Sequence, residues 1–244
     1  MLVLAFDTAT PAVTVAVSDE RRVLARLDVV DARRQGELLA PGIRRVLAEA
    51  GVAGGHLDAI VSGAGPGPYT GLRVGLVTAR VLGSALGVAA HGYCTLDVIA
   101  ADAVAAAAGR EFLVATDARR RELYWARYAP DGARVAGPAV AVPAALPAGL
   151  PVAGEGAHLY PDLLGEALPP RYPSAAAAAL WCAGRLAAGE QLAAPDPLYL
   201  RRPDARAPGA PKSVLGGTPA GSGAVTPSAL PSTRAVTRPT RSPV

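Results

Sequence analysis

The most informative stretch of the sequence is residues 65–75, which read Gly-Pro-Gly-Pro-Tyr-Thr-Gly-Leu-Arg-Val-Gly. Glycine lets the backbone adopt a positive φ or approach another group closely, and proline stiffens a loop. The apolar run Asp58–Ala64 precedes the stretch and predicts a buried strand. A helix is predicted to follow, with Thr70 as its N-cap and Gly87 as its C-terminal stop. The stretch therefore predicts a rigid connection from a strand to a helix.

Such a connection can also carry a function, because the first backbone amides of a helix suit an anion such as phosphate. Arg73 falls in the first turn of the predicted helix. The stretch is not a Walker A loop, since the only lysine of the chain is Lys212. A structural connection and a phosphate-binding loop both remain open here. The candidate phosphate-contacting residues of this stretch are Gly65, Gly67, Thr70, Gly71 and Arg73.

A second candidate lies at the end of the first predicted strand, Leu2–Asp7, where the chain continues Thr8-Ala9-Thr10. A carboxylate on a tight turn can hold a hydrated Mg²⁺, and neighbouring hydroxyls can contact phosphate. Asp7, Thr8 and Thr10 are the candidate residues. The alternative is a turn whose Asp and Thr side chains bond their own backbone, and the residues alone favour it.

Hydrophobic periodicity predicts an α/β chain. Strands at Leu2–Asp7, Val13–Ser18 and Val23–Val29 form an antiparallel meander, and a helix follows at Gly36–Ala50. The order of elements predicts two related halves. The other predicted elements are strands at Val88–His91, Phe112–Thr116, Glu122–Ala129 and Arg134–Val142, and helices at Thr70–Leu86, Leu96–Ala108 and Ser174–Ala188.

The charge of the chain is unevenly distributed. The chain has 24 basic and 20 acidic residues, but residues 201–244 contain seven of the basic groups and one acid. Residues 1–200 therefore have a net charge of −2, which does not predict a basic groove on the folded body. Residues 207–244 are rich in Pro, Gly, Ser and Thr and are predicted to be a disordered basic tail.

The chain lacks familiar catalytic patterns. His56, His91 and His158 are scattered, and Cys94 and Cys182 do not form a CxxC pair, so neither a metal site nor a disulfide framework is predicted. No GxSxG motif is present. We therefore predict no catalytic residue in this chain.

The N-terminus has no basic segment of the kind found in signal peptides. The most apolar window, Val74–Ala90, is short and contains Arg80, so it predicts a buried helix rather than a membrane span. A cytoplasmic protein without membrane contact is expected.

A predicted hairpin turn at Asp117–Arg121 contains Arg119, Arg120 and Arg121, and Tyr124 and Trp125 follow it. Arginines and aromatic rings can bind RNA by pairing with phosphates and stacking on bases. A solvated turn leading into a strand is the alternative, and the residues alone favour it.

Four segments together resemble the TsaB (YeaZ) family, and they occur in that family's order. They are the opening Leu-Ala-Phe-Asp-Thr-Ala-Thr, residues 65–75, the Asp-Ala-Arg to Glu-Leu-Tyr-Trp-Ala segment at 117–126, and Pro197–Arg201. The resemblance covers about residues 1–206. It implies the two-lobed fold of actin, Hsp70 and sugar kinases (the ASKHA fold), with an N-terminal lobe at 1–108 and a smaller lobe at 109–206.

The resemblance also implies a role. TsaB-like proteins are non-catalytic subunits in the formation of N6-threonylcarbamoyladenosine (t6A) beside the anticodon of tRNA. They pair with a TsaD-like transferase, a TsaE-like ATPase joins the complex, and tRNA is bound through the complex. A homodimer is the alternative pairing. The cofactor that the resemblance allows is ATP or ADP with Mg²⁺ at the complex interface.

The family dimerises through its first two helices, here Gly36–Ala50 and Thr70–Leu86. The second of these is apolar nearly all round, which also suggests a partner. The residues predicted for this interface are Leu38, Leu39, Ile43, Val46, Leu72, Gly75, Leu76, Ala79 and Gly83. One departure is Gln35, which lies in a stretch where the family often has His.

Two other functions compete with this interpretation. Asp7 and the glycine stretch allow a small ATP-dependent enzyme of the same superfamily. A metallopeptidase is the third hypothesis, and the scattered histidines argue against it.

Overall fold

The computed structural model describes residues 1–201, and these residues build two mixed sheets of five strands each. The strands of the first sheet lie in the order β3-β2-β1-β4-β5. The first three are antiparallel neighbours, whereas β4 is parallel to both β1 and β5. These strands are β1 (Val3–Asp7), β2 (Ala12–Ser18), β3 (Val23–Val30), β4 (Ala59–Gly63) and β5 (Ala89–Tyr93).

Helices cover both faces of this sheet. On one face, α1 (Gln35–Ala50) packs on β2 and β3, and α2 (Tyr69–Leu86) packs on β4 and β5. Their apolar side chains share a core with Leu4, Phe6 and Ile60. On the other face, α5 (Ala175–Ala187) packs on Val3, Ala5 and the residues around them. Because side chains alternate between the faces of a strand, covering both faces buries β1, β2 and β4 completely.

The second sheet repeats this arrangement on a smaller scale. Its strands lie in the order β10-β9-β6-β7-β8, with an antiparallel β6-β7-β8 meander and β9 parallel to β6. The helix α3 packs on one face through Leu96 and Ile99. The elements are α3 (Thr95–Ala107), β6 (Phe112–Asp117), β7 (Leu123–Tyr128), β8 (Arg134–Ala141), β9 (Val152–Ala153), α4 (Gly156–Leu159) and β10 (Ala167–Leu168). The prediction of two related α/β halves is confirmed.

Most predicted elements lie within two or three residues of the observed ones, but the predicted cap of α2 is wrong. Pro68, and not Thr70, precedes the first helical residue, Tyr69, and no side chain caps this terminus. The predicted stop is correct, since Gly87 has a left-handed φ of 67° at the end of the helix. The predicted lobe boundary at 108 stays a prediction. The helix α5 lies within the predicted second lobe, 109–206, but packs on the first sheet.

The predicted disordered tail at 207–244 lies outside the described residues. Within residues 1–201, no helix combines the length and the apolar composition that a bilayer crossing requires.

Candidate functional site

Asp7 lies at the carboxyl end of β1 and is completely buried. Its Oδ1 accepts a hydrogen bond from the Ala9 backbone N–H at 2.7 Å, and its Oδ2 accepts one from the Thr95 hydroxyl at 2.9 Å. Burial raises the pKa of this carboxyl from 3.8 to about 6, and the two hydrogen bonds oppose that shift. Because Asp7 has no exposed surface, it does not present a carboxylate to a hydrated Mg²⁺ in this conformation.

The Thr8 hydroxyl joins the first turn to α2. It donates to the Gly71 carbonyl at 2.7 Å and accepts from the Gly75 backbone N–H at 3.1 Å. A Cβ atom at position 75 would lie 2.7 Å from the Thr8 hydroxyl oxygen, which is closer than a carbon atom can approach without displacing it. Gly75 is therefore needed so that the turn can pack directly on the helix.

Gln35 holds the same turn from the side of α1. Its Nε2 donates to the carbonyl oxygens of Thr8 and Thr10, at 3.2 and 2.7 Å. A Cβ atom at position 71 would lie 2.6 Å from the Gln35 Oε1, so Gly71 makes room for this side chain. The sequence analysis treated Gln35 only as a departure from the family and missed this bridging role.

The loop at Gly65–Pro68 completes the arrangement. Gly65 has a φ of 93°, a value that favours glycine, and any side chain at Gly67 would overlap the Ala9 carbonyl. The Thr10 hydroxyl accepts a bond from the Ala12 N–H at 3.3 Å. The structure thus brings the first turn, residues 7–10, into contact with residues 65–75. The glycines of the second stretch leave room for the backbone of the first turn. This geometry matches the alternative of a self-bonded turn and a structural connection.

Only two of the eight predicted phosphate-contacting residues, Thr70 and Arg73, are exposed. Thr70 lines a groove of about 340 Å³, together with Thr10, Gln35, Arg33 and Arg119. Arg73 does not line it.

Instead, the Arg73 guanidinium lies 4.9 Å from the centre of the Tyr69 ring and donates to the Tyr69 hydroxyl at 2.7 Å. The Tyr69 ring stacks on Tyr199 with 5.6 Å between centroids. In this structure Arg73 is engaged with an aromatic pair, and its contact with an anion at the start of α2 stays a prediction.

The predicted partner-interface residues are also corrected. Eight of the nine are buried in the chain's own core, where they hold α1 and α2 on the sheet, and Leu38 is half-buried. They are therefore not available to a second chain. The outward face of α2 exposes other residues, with Tyr69 55% exposed, Val77 53%, Val81 60% and Leu86 36%. The residues predicted from sequence lie on the inner face of α2, because an all-round apolar helix has no polar face to mark the outside.

The segment at 193–201 runs along the same region. Its Leu198 N–H donates to the Ala64 carbonyl at 2.8 Å, and its Ala193 carbonyl accepts from Gly92 at 2.8 Å. Asp196 forms an ion pair with Arg80 of α2. Pro197–Arg201, one of the four motifs that resemble the family, belongs to this segment, which fastens the end of β4 and α2.

No three His, Cys, Asp or Glu side chains within residues 1–201 converge as a metal site would require. Cys94 and Cys182 are both free and buried, and burial raises their pKa values to about 11 and about 12. Both thiols are thus neutral at physiological pH, in line with a packing role.

Comparison with known proteins adds to this picture. Residues 30–162, more than half of the chain, match the family model described as TsaD, tRNA N6-adenosine threonylcarbamoyltransferase. The uncharacterized protein Rv3421c of Mycobacterium tuberculosis is 44% identical over 212 residues, which cover 84% of this chain and 93% of that protein. The tRNA threonylcarbamoyladenosine biosynthesis protein TsaB of Escherichia coli is 33% identical over 131 residues, 54% of this chain and 56% of that protein. The crystal structure of YeaZ from Pseudomonas aeruginosa superposes with a TM-score of 0.72 at 30% identity, over 82% of this chain and 99% of YeaZ.

The duplicated mixed sheets with the Asp-Thr turn between β1 and β2 define an α/β protein of the two-lobed actin/Hsp70/sugar-kinase class. Within that class, the chain belongs to the TsaB (YeaZ) family.

Proposed function

We propose that this chain is a non-catalytic subunit in the synthesis of N6-threonylcarbamoyladenosine in tRNA, which pairs with a TsaD-like transferase and activates it. Membership in the TsaB family supports the pathway. The partner role is inferred from the geometry of the site. The chain's own Thr8, Gln35 and Asp7 fill the space between the first turn and α2, where an enzyme of this class would need room for a nucleotide.

The observation that best supports a partner is the outward face of α2. Val77 and Val81 lie four residues apart and therefore on the same side of the helix, and both are more than half exposed. Tyr69 lies about two turns before Val77 on the same helix. Its ring and the Tyr199 ring stacked on it extend this apolar strip. Exposed apolar strips of this kind mark interaction sites, because water contact with them is unfavourable. We assign this strip, rather than the buried residues predicted from sequence, to the TsaD-like partner.

Reconstitution tests the proposal. Threonylcarbamoyl transfer to tRNA is measured with the cognate TsaD-like chain, the TsaE-like ATPase and the separate synthase that supplies threonylcarbamoyl-adenylate. The measurement is made with and without this protein. Activity should collapse when this protein is omitted, and this protein alone should be inert. Unchanged activity on omission would refute the subunit role, and transfer by this chain alone would refute its non-catalytic nature.

Binding of ATP or ADP with Mg²⁺ at the complex interface also remains a proposal. A groove of about 340 Å³ lies open beside Thr10, Gln35 and Thr70. Calorimetry with Mg-ATP on this chain alone, and then on the complex, separates the alternatives: heat with the isolated chain would favour the small ATP-dependent enzyme.

A further inference from the structure

The turn between β6 and β7 places three consecutive arginines on the surface. Arg119, Arg120 and Arg121 are exposed and have φ values of 63°, 55° and 59°. Left-handed conformations are unfavourable for residues other than glycine, and three in succession must be held by their surroundings. Asp117 does so by accepting from the Arg119 N–H at 2.7 Å, and the Ala118 N–H donates to the Glu122 carbonyl at 3.0 Å. These hydrogen bonds hold the turn in a defined conformation, in which the three arginine residues are exposed.

A fourth arginine lies near this turn although it is far away in sequence. Arg33, just before α1, lines the same groove as Arg119. The Arg33 side chain forms no ion pair among residues 1–201, whereas Arg119 is paired with Asp117 at 3.1 Å. The net charge of −2 on residues 1–200 hides this local concentration, because it averages over the whole body.

Arg201 also lies against this turn. It donates to the Ala118 carbonyl at 3.1 Å and pairs with Glu122, so its guanidinium helps to hold the turn in place. The residues that follow it in sequence, 202–244, contain six basic groups and one acid.

We propose that Arg33, Arg119, Arg120 and Arg121 form an RNA-binding surface that contacts the phosphate backbone. This inference rests on the proposed function, since it names tRNA as the polyanion that this chain itself contacts. Guanidinium groups pair with phosphates in a bidentate manner. Phosphate contacts position a nucleic acid without reading its sequence, which suits a subunit that orients tRNA for a catalytic partner. Asp117 and Glu122 hold the turn in shape while the outer guanidinium edges face the RNA.

The test is fluorescence anisotropy of a labelled, unmodified tRNA transcript with the isolated full-length chain over a range of salt concentrations. The variant Arg119→Asn/Arg120→Asn/Arg121→Asn removes three charges with a residue that tolerates left-handed φ, so the turn is kept. The matched control, Arg21→Gln/Arg22→Gln/Arg26→Gln, removes three exposed charges from the β2–β3 turn and from β3, the edge strand of the first sheet. A third protein ends at Arg201.

The turn variant should bind at least tenfold more weakly at 100 mM salt, and its slope of log K against log salt should be smaller by about 2 to 3. The control should match the wild type. Equal affinity of the turn variant and the control would overturn the proposal, as would an absence of wild-type binding. Binding lost only in the truncated protein would assign the RNA contact to the tail and overturn the surface.

Binding to anionic vesicles in place of tRNA would also overturn the proposal. The assay contains no transferase, so it is independent of the reconstitution. A chain that is required for threonylcarbamoyl transfer but binds no tRNA refutes the surface and leaves the subunit role standing.

Discussion

At the scale of single residues, the first turn works as a self-contained hydrogen-bonded unit. Asp7, Thr8 and Thr10 were candidates for metal and phosphate contact, and each of them accepts or donates a bond within the chain. The carboxylate of Asp7 is the most costly member, because its charge has no water contact and must be stabilised by hydrogen bonds from neighbouring groups, among them Ala9 and Thr95. Its cost should appear as a dependence of stability on pH.

We predict that the chain loses stability as the pH rises from about 4 to about 6. The folded pKa of Asp7 is raised from 3.8 to about 6, so the folded state holds the proton more tightly than the unfolded state in this interval. The free energy of unfolding therefore falls by an amount on the order of 3 kcal/mol through the interval. Above the interval, Asp7 contributes no further change. The change Asp7→Asn keeps the acceptor for Ala9 and should remove this part of the slope.

Urea unfolding of both proteins at several pH values checks this prediction. The difference between the two proteins isolates Asp7, because Asp28 and Asp102, whose pKa values burial also raises, are present in both. Parallel curves for wild type and variant would contradict it.

The glycine at position 75 provides a second prediction at this scale. Gly75→Ala places a methyl group 2.7 Å from the Thr8 hydroxyl oxygen and 3.1 Å from that of Ser62. Thr8 must move and lose its bonds to Gly71 and Gly75, so we expect a destabilisation of about 2–4 kcal/mol.

The control is Gly184→Ala in α5, where a Cβ atom meets nothing within 4 Å. This change should stabilise the protein by about 0.5–1 kcal/mol, since alanine favours a helix over glycine. Thermal or urea unfolding measures both variants. Equal effects would show that the Thr8 contact is unimportant.

At the scale of elements, α2 has two different faces. Its inner face, with Leu72, Gly75 and Ala79, is part of the core, and its outer face exposes Val77 and Val81. Mutation of the inner face would unfold the region and reveal nothing about a partner. Mutation of the outer face separates binding from folding.

We predict that Val77→Glu/Val81→Glu weakens binding to the TsaD-like partner by about tenfold or more, because two charges replace the centre of the apolar strip. Folding should be retained, since glutamate is a good helix former and both sites face water. Calorimetric titration of the TsaD-like chain with each variant gives the affinity. Leu163→Glu/Leu180→Glu, two exposed leucines outside α2, is the matched control. Wild-type affinity of the α2 variant would place the interface elsewhere.

At the scale of the whole molecule, residues 1–201 contain both sheets and all five apolar clusters of the described structure. The segment at 193–201 fastens onto the end of β4, onto α2 and onto the arginine turn. Residues 1–201 therefore contain the contacts that hold their last segment, 193–201, on the two sheets.

We predict that removal of residues 210–244 leaves the stability and partner binding of the chain unchanged. The change in unfolding free energy should be within about 0.5 kcal/mol, because residues 1–201 already contain both sheets and the five apolar clusters. Unfolding curves and a titration with the TsaD-like chain measure the two quantities. A large loss of either would mean that the tail contributes to the body or to the interface.

The sequence by itself determined the kind, order and approximate bounds of most elements, but not of β9, α4 and β10, which are only two to four residues long. The alternation in β2, the periodicity of α1 and the left-handed stops at Gly51 and Gly87 depend on neighbours within a few residues, so local pattern sufficed. The family could also be read from short motifs. Only the tertiary structure decided what those motifs do, because contacts such as Thr8 with Gly75, Arg33 with the Arg119 groove and α5 with β1 join residues far apart in the chain. The packing of distant segments against each other decides which face of α2 is buried and whether Asp7 contacts water. No local sequence pattern contains that information.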